Sequence, residues 1–243
     1  MSKLNEIKTL SSFIIKIENI KREQEANGNN SELLFRGQRQ DQKLLPKLAR
    51  LNLNGNIKKI EKLMLEEFKR ASLPLAEFEP KNNWDWLALA QHHGLPTRLL
   101  DWTYSALIAL WFAVEKIPEN NENGIVWILR PEVSDFRDTE RFDDPLKNKV
   151  TKIFRSRVVS KRISAQAGAF TAHRISSEGE VIQFESNASF REKLVKLVIP
   201  PQCFAPIRES LKMMGVNHST VFPDIDGLCQ HLERRFSKLD DEL

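Results

Sequence analysis

Residues 95–116, LPTRLLDWTYSALIALWFAVEK, constrain this chain more than any other stretch. After a turn at Leu95-Pro96, apolar and polar residues alternate through Thr103, the period of a strand. From Ser105 the sequence becomes ALIALWFAV, a helix apolar all round that must be buried by the rest of the fold. Yet Thr97, Arg98, Asp101 and Thr103 crowd into the seven positions before it. A core strand has no use for an arginine and an aspartate three residues apart. A ligand cleft has.

The remaining elements follow from period and punctuation. Apolar residues from Leu4 to Ile20 make a helical stripe, and ELLFRGQ reads as a short buried strand from Leu33 to Phe35 that ends on Arg36. NGNIKKIEKLMLEEFKRAS is an amphipathic helix opened by Asn54-Gly55. NNWDWLALAQHHG is a second, with Asn82 or Asn83 as N-cap and Gly94 as its stop. IVWIL, after the turn NNENG, has the continuous apolar pattern of a central strand. Helical periodicity returns weakly across 145–160, while RISAQAGAF, GEVIQFE and KLVKLVIP are strand candidates. CFAPIRESLKMMG and DIDGLCQHLERRF close the chain as helices. This order predicts a single α+β domain with a mixed central sheet flanked by helices. Residues 1–30 would be an N-terminal helical segment, 31–236 the main body and 237–243 a polar tail.

Composition narrows the function classes. No run approaches the roughly 20 apolar residues of a membrane span, and the start MSKLNEIKTL has no apolar signal core, so a cytoplasmic location is expected. Cys203 and Cys229 have no partners at ligand spacing and read as free buried thiols, with no metal expected. The net charge is +4, unevenly placed: KNKVTKIFRSRVVSKR, 147–162, holds seven basic residues and no acidic one. It reads as a solvated helix face or as a phosphate-contacting surface, in which Lys152, Arg155, Arg157, Lys161 and Arg162 would meet nucleic acid.

Arg36 follows apolar residues and precedes Gly37, so its backbone is near the interior while its planar fork suits phosphate. Gly37 permits close approach of a ligand or another backbone. Arg98 and Asp101 suit a ligand site or a structural ion pair, and Asp101 near a guanidinium could orient it. Thr97 and Thr103 offer hydroxyls to a sugar. His92 and His93, ending a helix, suit a cofactor contact, a cap or the core. Gln166 can both donate and accept, and shares one side of the pleat with Gly168 and Phe170 if that segment is a strand.

FRGQ at 35–38, LALAQHHGLPTRLLDWTYSALIALWFA at 87–113, RISAQAGAF at 162–170 and FPDIDGLCQHL at 222–232 together resemble the FRG domain family of bacterial and phage-associated proteins. The likeness spans roughly Leu33 to Arg235 and adds Gln38 to the candidate residues. A more distant resemblance, to arginine-type ADP-ribosyltransferases, implies an ADP-ribosyltransferase-like fold and NAD as substrate. In that comparison Arg36 matches the arginine that holds NAD, and Thr103 or Thr97 matches the hydroxyl that supports the ribose. Gln166 stands where a glutamate is expected, with Glu178, Glu180 or Glu185 as other sources of the acid. Arg36, Thr103, Gln166 and Asp101 would then form the catalytic group. Gly37, Gln38, His92, His93, Thr97, Arg98 and Phe170 would line the cofactor site. The resemblances imply a toxin-like effector in phage defence, with RNA as acceptor and an antitoxin partner. The other readings are a non-catalytic nucleotide or nucleic-acid binding module, and a metal-independent nuclease using His92 or His93.

Overall fold

The protein is described here by a computed structural model over residues 5–75, 80–138, 143–156 and 165–242. Six strands form one sheet: β1 (Leu34–Gln38), β2 (Leu99–Thr103), β3 (Gly124–Leu129), β4 (Lys152–Phe154), β5 (Gly168–Ala172) and β6 (Leu194–Ile199). Their order is β4-β5-β2-β1-β3-β6. The helices are α1 (Leu10–Ala26), α2 (Ile57–Ser72), α3 (Asn83–His92), α4 (Ala106–Val114), α5 (Phe204–Met213), α6 (His218–Val221) and α7 (Ile225–Phe236).

Every neighbouring strand pair is antiparallel, which corrects the mixed sheet read from the sequence. The reason lies in β2-α4-β3. Those two strands run parallel, as a helical crossover requires, but β1 is inserted between them and is antiparallel to both. Parallel pairing is confined to isolated bridges such as Glu6 with Val198. Of the weak helical pattern across 145–160, residues 157–160 lie outside the described residues, and the described part holds one short turn, Pro145–Lys147, and a three-residue edge strand, β4. GEVIQFE forms a single bridge, Ile175 with Val181, instead of a strand.

Caps set the helix limits. Thr9 starts α1, Asn56 starts α2 and Asn82 starts α3, each accepting a backbone N–H through its side chain. Gly94 and Gly215, at φ +85° and +79°, follow the ends of α3 and α5. One face of the sheet, with Phe35, Val126, Ile128 and Leu197, packs under α1, α4 and α5; farther along, Leu99, Phe170 and Ala172 join the core of α2 and α3. The opposite face, with Leu34, Trp102 and Trp127, is covered by Leu44, Phe184 and Phe190 from irregular segments. Residues 240–242 of the polar tail fold back, where Arg208 holds Asp241 and Glu242. No helix among the described residues is long and apolar enough to cross a membrane.

β1 and α4 meet backbone to backbone at Gly37. A Cβ built on Gly37 would lie 1.9 Å from the carbonyl oxygen of Ala109 and 2.9 Å from the amide nitrogen of Ala113. Both obstacles are helix backbone and cannot rotate away. Gly37→Ala is therefore expected to cost at least about 2 kcal/mol in urea unfolding, because the whole of α4 must shift.

His173, just beyond β5, is buried with its ring nitrogen 3.2 Å from the hydroxyl of Thr171. Burial, with the charges of Arg36 and Arg98 adding to it, pushes its pKa down to about 3. The imidazole stays neutral in the fold and protonates once the chain unfolds near pH 6.5. Its contribution is complete above about pH 6.5 and is lost as the pH falls towards 3, with a limiting slope of about 1.4 kcal/mol per pH unit. The loss of stability between pH 6.5 and 5 should be shallower in His173→Gln than in the native chain.

Candidate functional site

The cleft arises where the sheet divides. β1 and β2 form one ladder pair, Phe35 with Thr103, whereas Arg36, Gly37 and Gln38 all pair with β3. The two strands part beyond Phe35, and the guanidinium of Arg36 fills the fork: its Nη1 donates to the carbonyl oxygen of Asp101 at 2.8 Å. The cleft beside it has a volume of about 320 Å³. Arg36, Gly37, Asp101, Thr103, Gln166 and Phe170 contribute to its walls, with Gln91, His92 and Phe112.

Arg36 is 21% exposed, and its Nη1 lies 3.9 Å from the Asp101 carboxylate. Its Nε is buried and has no acceptor among the described residues. Burial lowers its pKa; Asp101 opposes that shift and Arg50 adds to it. A partly desolvated guanidinium that lines a cleft, with its nearest carboxylate 3.9 Å away, suits an anionic acceptor.

The Asp101 carboxylate is 56% exposed and held from behind. Gln91 donates to its Oδ2 at 3.1 Å, and the hydroxyl of Thr97 donates to the Gln91 side-chain oxygen at 2.7 Å. Thr97 is thus buried and acts through Gln91, where the sequence reading placed it on the cofactor. Gln91 itself was missed by that reading. Its only sequence signal is an amide in the last turn of a helix before two histidines.

Thr103 closes the other end. Its hydroxyl donates to the Gln166 carbonyl oxygen at 2.5 Å and accepts from the Ser105 N–H at 2.9 Å. Gln166 lies in a turn before β5 instead of on the strand, and its side-chain amide donates to the Val221 carbonyl oxygen at 3.2 Å. His92 lines the cleft, while His93 is the C-terminal cap of α3.

Two other expectations are corrected. Arg98 is 2% exposed, its Nε and Nη2 bound to Glu61 and its Nη1 donating to the Pro145 carbonyl oxygen, so it is a structural ion pair and not a cofactor contact. Gln38, on the same face of β1 as Arg36, does not line the cleft: its side-chain oxygen accepts from the indole of Trp127 at 3.0 Å. Of the acidic alternatives, Glu185 accepts from the Leu44 N–H and Glu178 pairs with Ser177; neither lines the cleft. Among the described residues no cluster of three His, Cys, Asp or Glu side chains could hold a metal ion.

In the basic segment, Lys152 donates to the Ser134 carbonyl oxygen at 2.7 Å. Arg155 donates to the hydroxyl of Tyr104 at 2.8 Å, lies over its ring and pairs with Glu32. Arg157, Lys161 and Arg162 lie outside the described residues.

The family model of the FRG domain matches residues 31–122. That span runs from before β1 past α4 and supplies Arg36, Gly37, Gln91, His92, Asp101, Thr103 and Phe112 of the cleft. Comparison with curated proteins and with solved structures finds no match.

The buried Arg98 and the half-buried Arg36 should separate on substitution. Arg98→Ala strands Glu61 as an unpaired buried carboxylate and is expected to cost about 3–5 kcal/mol. Arg36→Ala loses one bond but also relieves the burial of an incompletely paired charge, for a net cost below about 1 kcal/mol. Urea unfolding of the two variants checks this, and equal losses would make Arg36 a structural residue.

Proposed function

Because residues 31–122 are an FRG domain and supply most of the cleft, we propose that this protein binds NAD at Arg36 and transfers its ADP-ribosyl group. One observation carries the reading: the half-buried guanidinium of Arg36 lines the cleft where Asp101, Thr103 and Gln166 converge. Arg36 would clamp the diphosphate of NAD through the part of its guanidinium that faces the cleft.

The chemistry asks for clamping and charge stabilisation. The bond between the ribose anomeric carbon and the nicotinamide nitrogen breaks, the electron pair leaves with nicotinamide, and the sugar acquires oxocarbenium character. The acceptor's nucleophile then bonds to that carbon and loses its proton. In this reading the Asp101 carboxylate, fixed by Gln91, faces the positive charge that develops on the sugar. The side-chain oxygen of Gln166 accepts from a ribose hydroxyl, with the amide nitrogen held by Val221. Thr103, already bonded at its hydroxyl, sets the position of Gln166. Asp101 thereby takes the acidic part that the sequence comparison looked for at position 166.

The acceptor we propose is RNA, on the charge of segment 147–162, within a toxin-like defence effector held by an antitoxin. A second reading, a nucleotide-binding module without transfer, is favoured by the amide at Gln166 where a carboxylate is expected.

The test is incubation of the purified protein with adenylate-labelled NAD and either RNA or cell lysate. Label should pass to a macromolecule and nicotinamide should be released. Arg36→Ala should lower both by about 100-fold or more, and Arg36→Lys should fail too, since a point charge does not replace the planar fork. NAD binding without nicotinamide release would leave the binding module; label on protein alone would remove RNA.

A further inference from the structure

The last helix presents its apolar stripe to solvent. Ile225, Leu228, Leu232 and Phe236 recur at three- and four-residue spacing and, at about 100° per residue, share one side of α7. Their exposures are 79%, 48%, 41% and 83%. Facing the body are Gly227, His231 and Arg234. His231 and Arg234 border a small polar pocket with Arg208 and Glu242. Cys229, expected to be buried, lies exposed at the edge of the stripe.

This orientation is fixed by backbone contact. A Cβ at Gly227 would lie 2.0 Å from the carbonyl oxygen of Phe222, so the helix rests directly on the chain before it. Asp224 caps the helix by accepting from the Gly227 N–H at 2.7 Å. Rolling α7 over to bury its stripe would drive side chains into that contact. Single apolar residues on a surface are ordinary, but four in register on one fixed helix make a seam.

The rims of the stripe point to the occupant. At helical spacing Asp226 and Glu233 lie along one edge and Arg235 along the other. We propose that α7 is the seam of a symmetric homodimer, in which two copies pair their α7 helices in parallel about a two-fold axis. In a parallel pair the acidic rim of each helix meets the basic rim of the other, so Glu233 stands beside the partner's Arg235, and the symmetry repeats the contact. Antiparallel pairing would set acidic rim against acidic rim. Adsorption to an anionic bilayer draws on excess basic charge, whereas around this helix Asp224, Asp226 and Glu233 balance Arg234, Arg235 and Lys238.

The test is sedimentation equilibrium of the full chain at tens of micromolar. The native chain should be dimeric and Leu232→Glu monomeric with an unchanged circular dichroism spectrum, since Leu232 is exposed in the single chain. Glu233→Arg and Arg235→Glu should each weaken the dimer by about tenfold, and the double variant should recover most of that loss. A monomeric native chain overturns the proposal, and one that also sediments with phosphatidylglycerol vesicles assigns the stripe to lipid. A dimer indifferent to Leu232→Glu overturns it as well. Tighter association of Glu233→Arg would mean antiparallel pairing and would overturn the parallel seam.

Discussion

The Glu61–Arg98 pair ties together parts of the chain that sequence keeps far apart. Glu61 sits on α2, Arg98 immediately precedes β2, and the carbonyl of Pro145 closes the third side. The carboxylate also accepts from the backbone N–H of Arg98, which fixes the point where the chain enters β2. Both side chains are 2% exposed, so neither charge has water to fall back on. A buried pair of this kind adds little net stability against an apolar replacement, but it punishes any arrangement that separates the partners. Its role is to specify where β2 begins and, with that, where Asp101 and Thr103 stand.

The cleft inherits its position from that anchor and its shape from a steric conflict. Gly37 lies against the backbone of Ala109, and this contact holds β1 tightly under α4. With β1 paired to β3 through Gln38 and to β2 at Phe35 alone, the sheet opens beside Arg36. Packing and site are thus one feature. The strand that α4 grips is the strand that cannot stay zipped to β2, and the guanidinium fills the opening. The two arginines differ because Arg98 has its carboxylate inside the protein, while Arg36, among the described residues, meets the carbonyl of Asp101 and the edge of its carboxylate.

Asp101 shows how a half-exposed carboxylate is held in place. The hydroxyl of Thr97 orients the amide of Gln91, and the amide orients the carboxylate, so a buried residue of the strand entry acts at the cleft wall without touching it. At the far end, Thr103 and Gln166 join β2 to the turn before β5, and Gln166 reaches Val221 on α6. The cleft is therefore framed partly by elements beyond residue 122, where the FRG domain match ends.

Much was legible in the sequence because it is local. The apolar run 106–114, the cap at Asn82, the stop at Gly94 and the strand 124–129 follow from period and from residues whose backbone preferences act within a few positions. The polar cluster at 97–103 and Arg36 before Gly37 marked a site for the same reason: charged groups at the ends of buried strands require a partner. Which partner each found was decided only by tertiary structure. Arg98 met Glu61 across 37 residues, Arg36 met the Asp101 carbonyl across 65, and α7 was laid down by Gly227 with its stripe outward. β1 came to lie between β2 and β3, making the sheet antiparallel throughout. Local sequence sets what each residue needs. The packing of distant segments settles what is within reach, since a hydrogen bond extends about 3 Å and is indifferent to the length of chain between its ends.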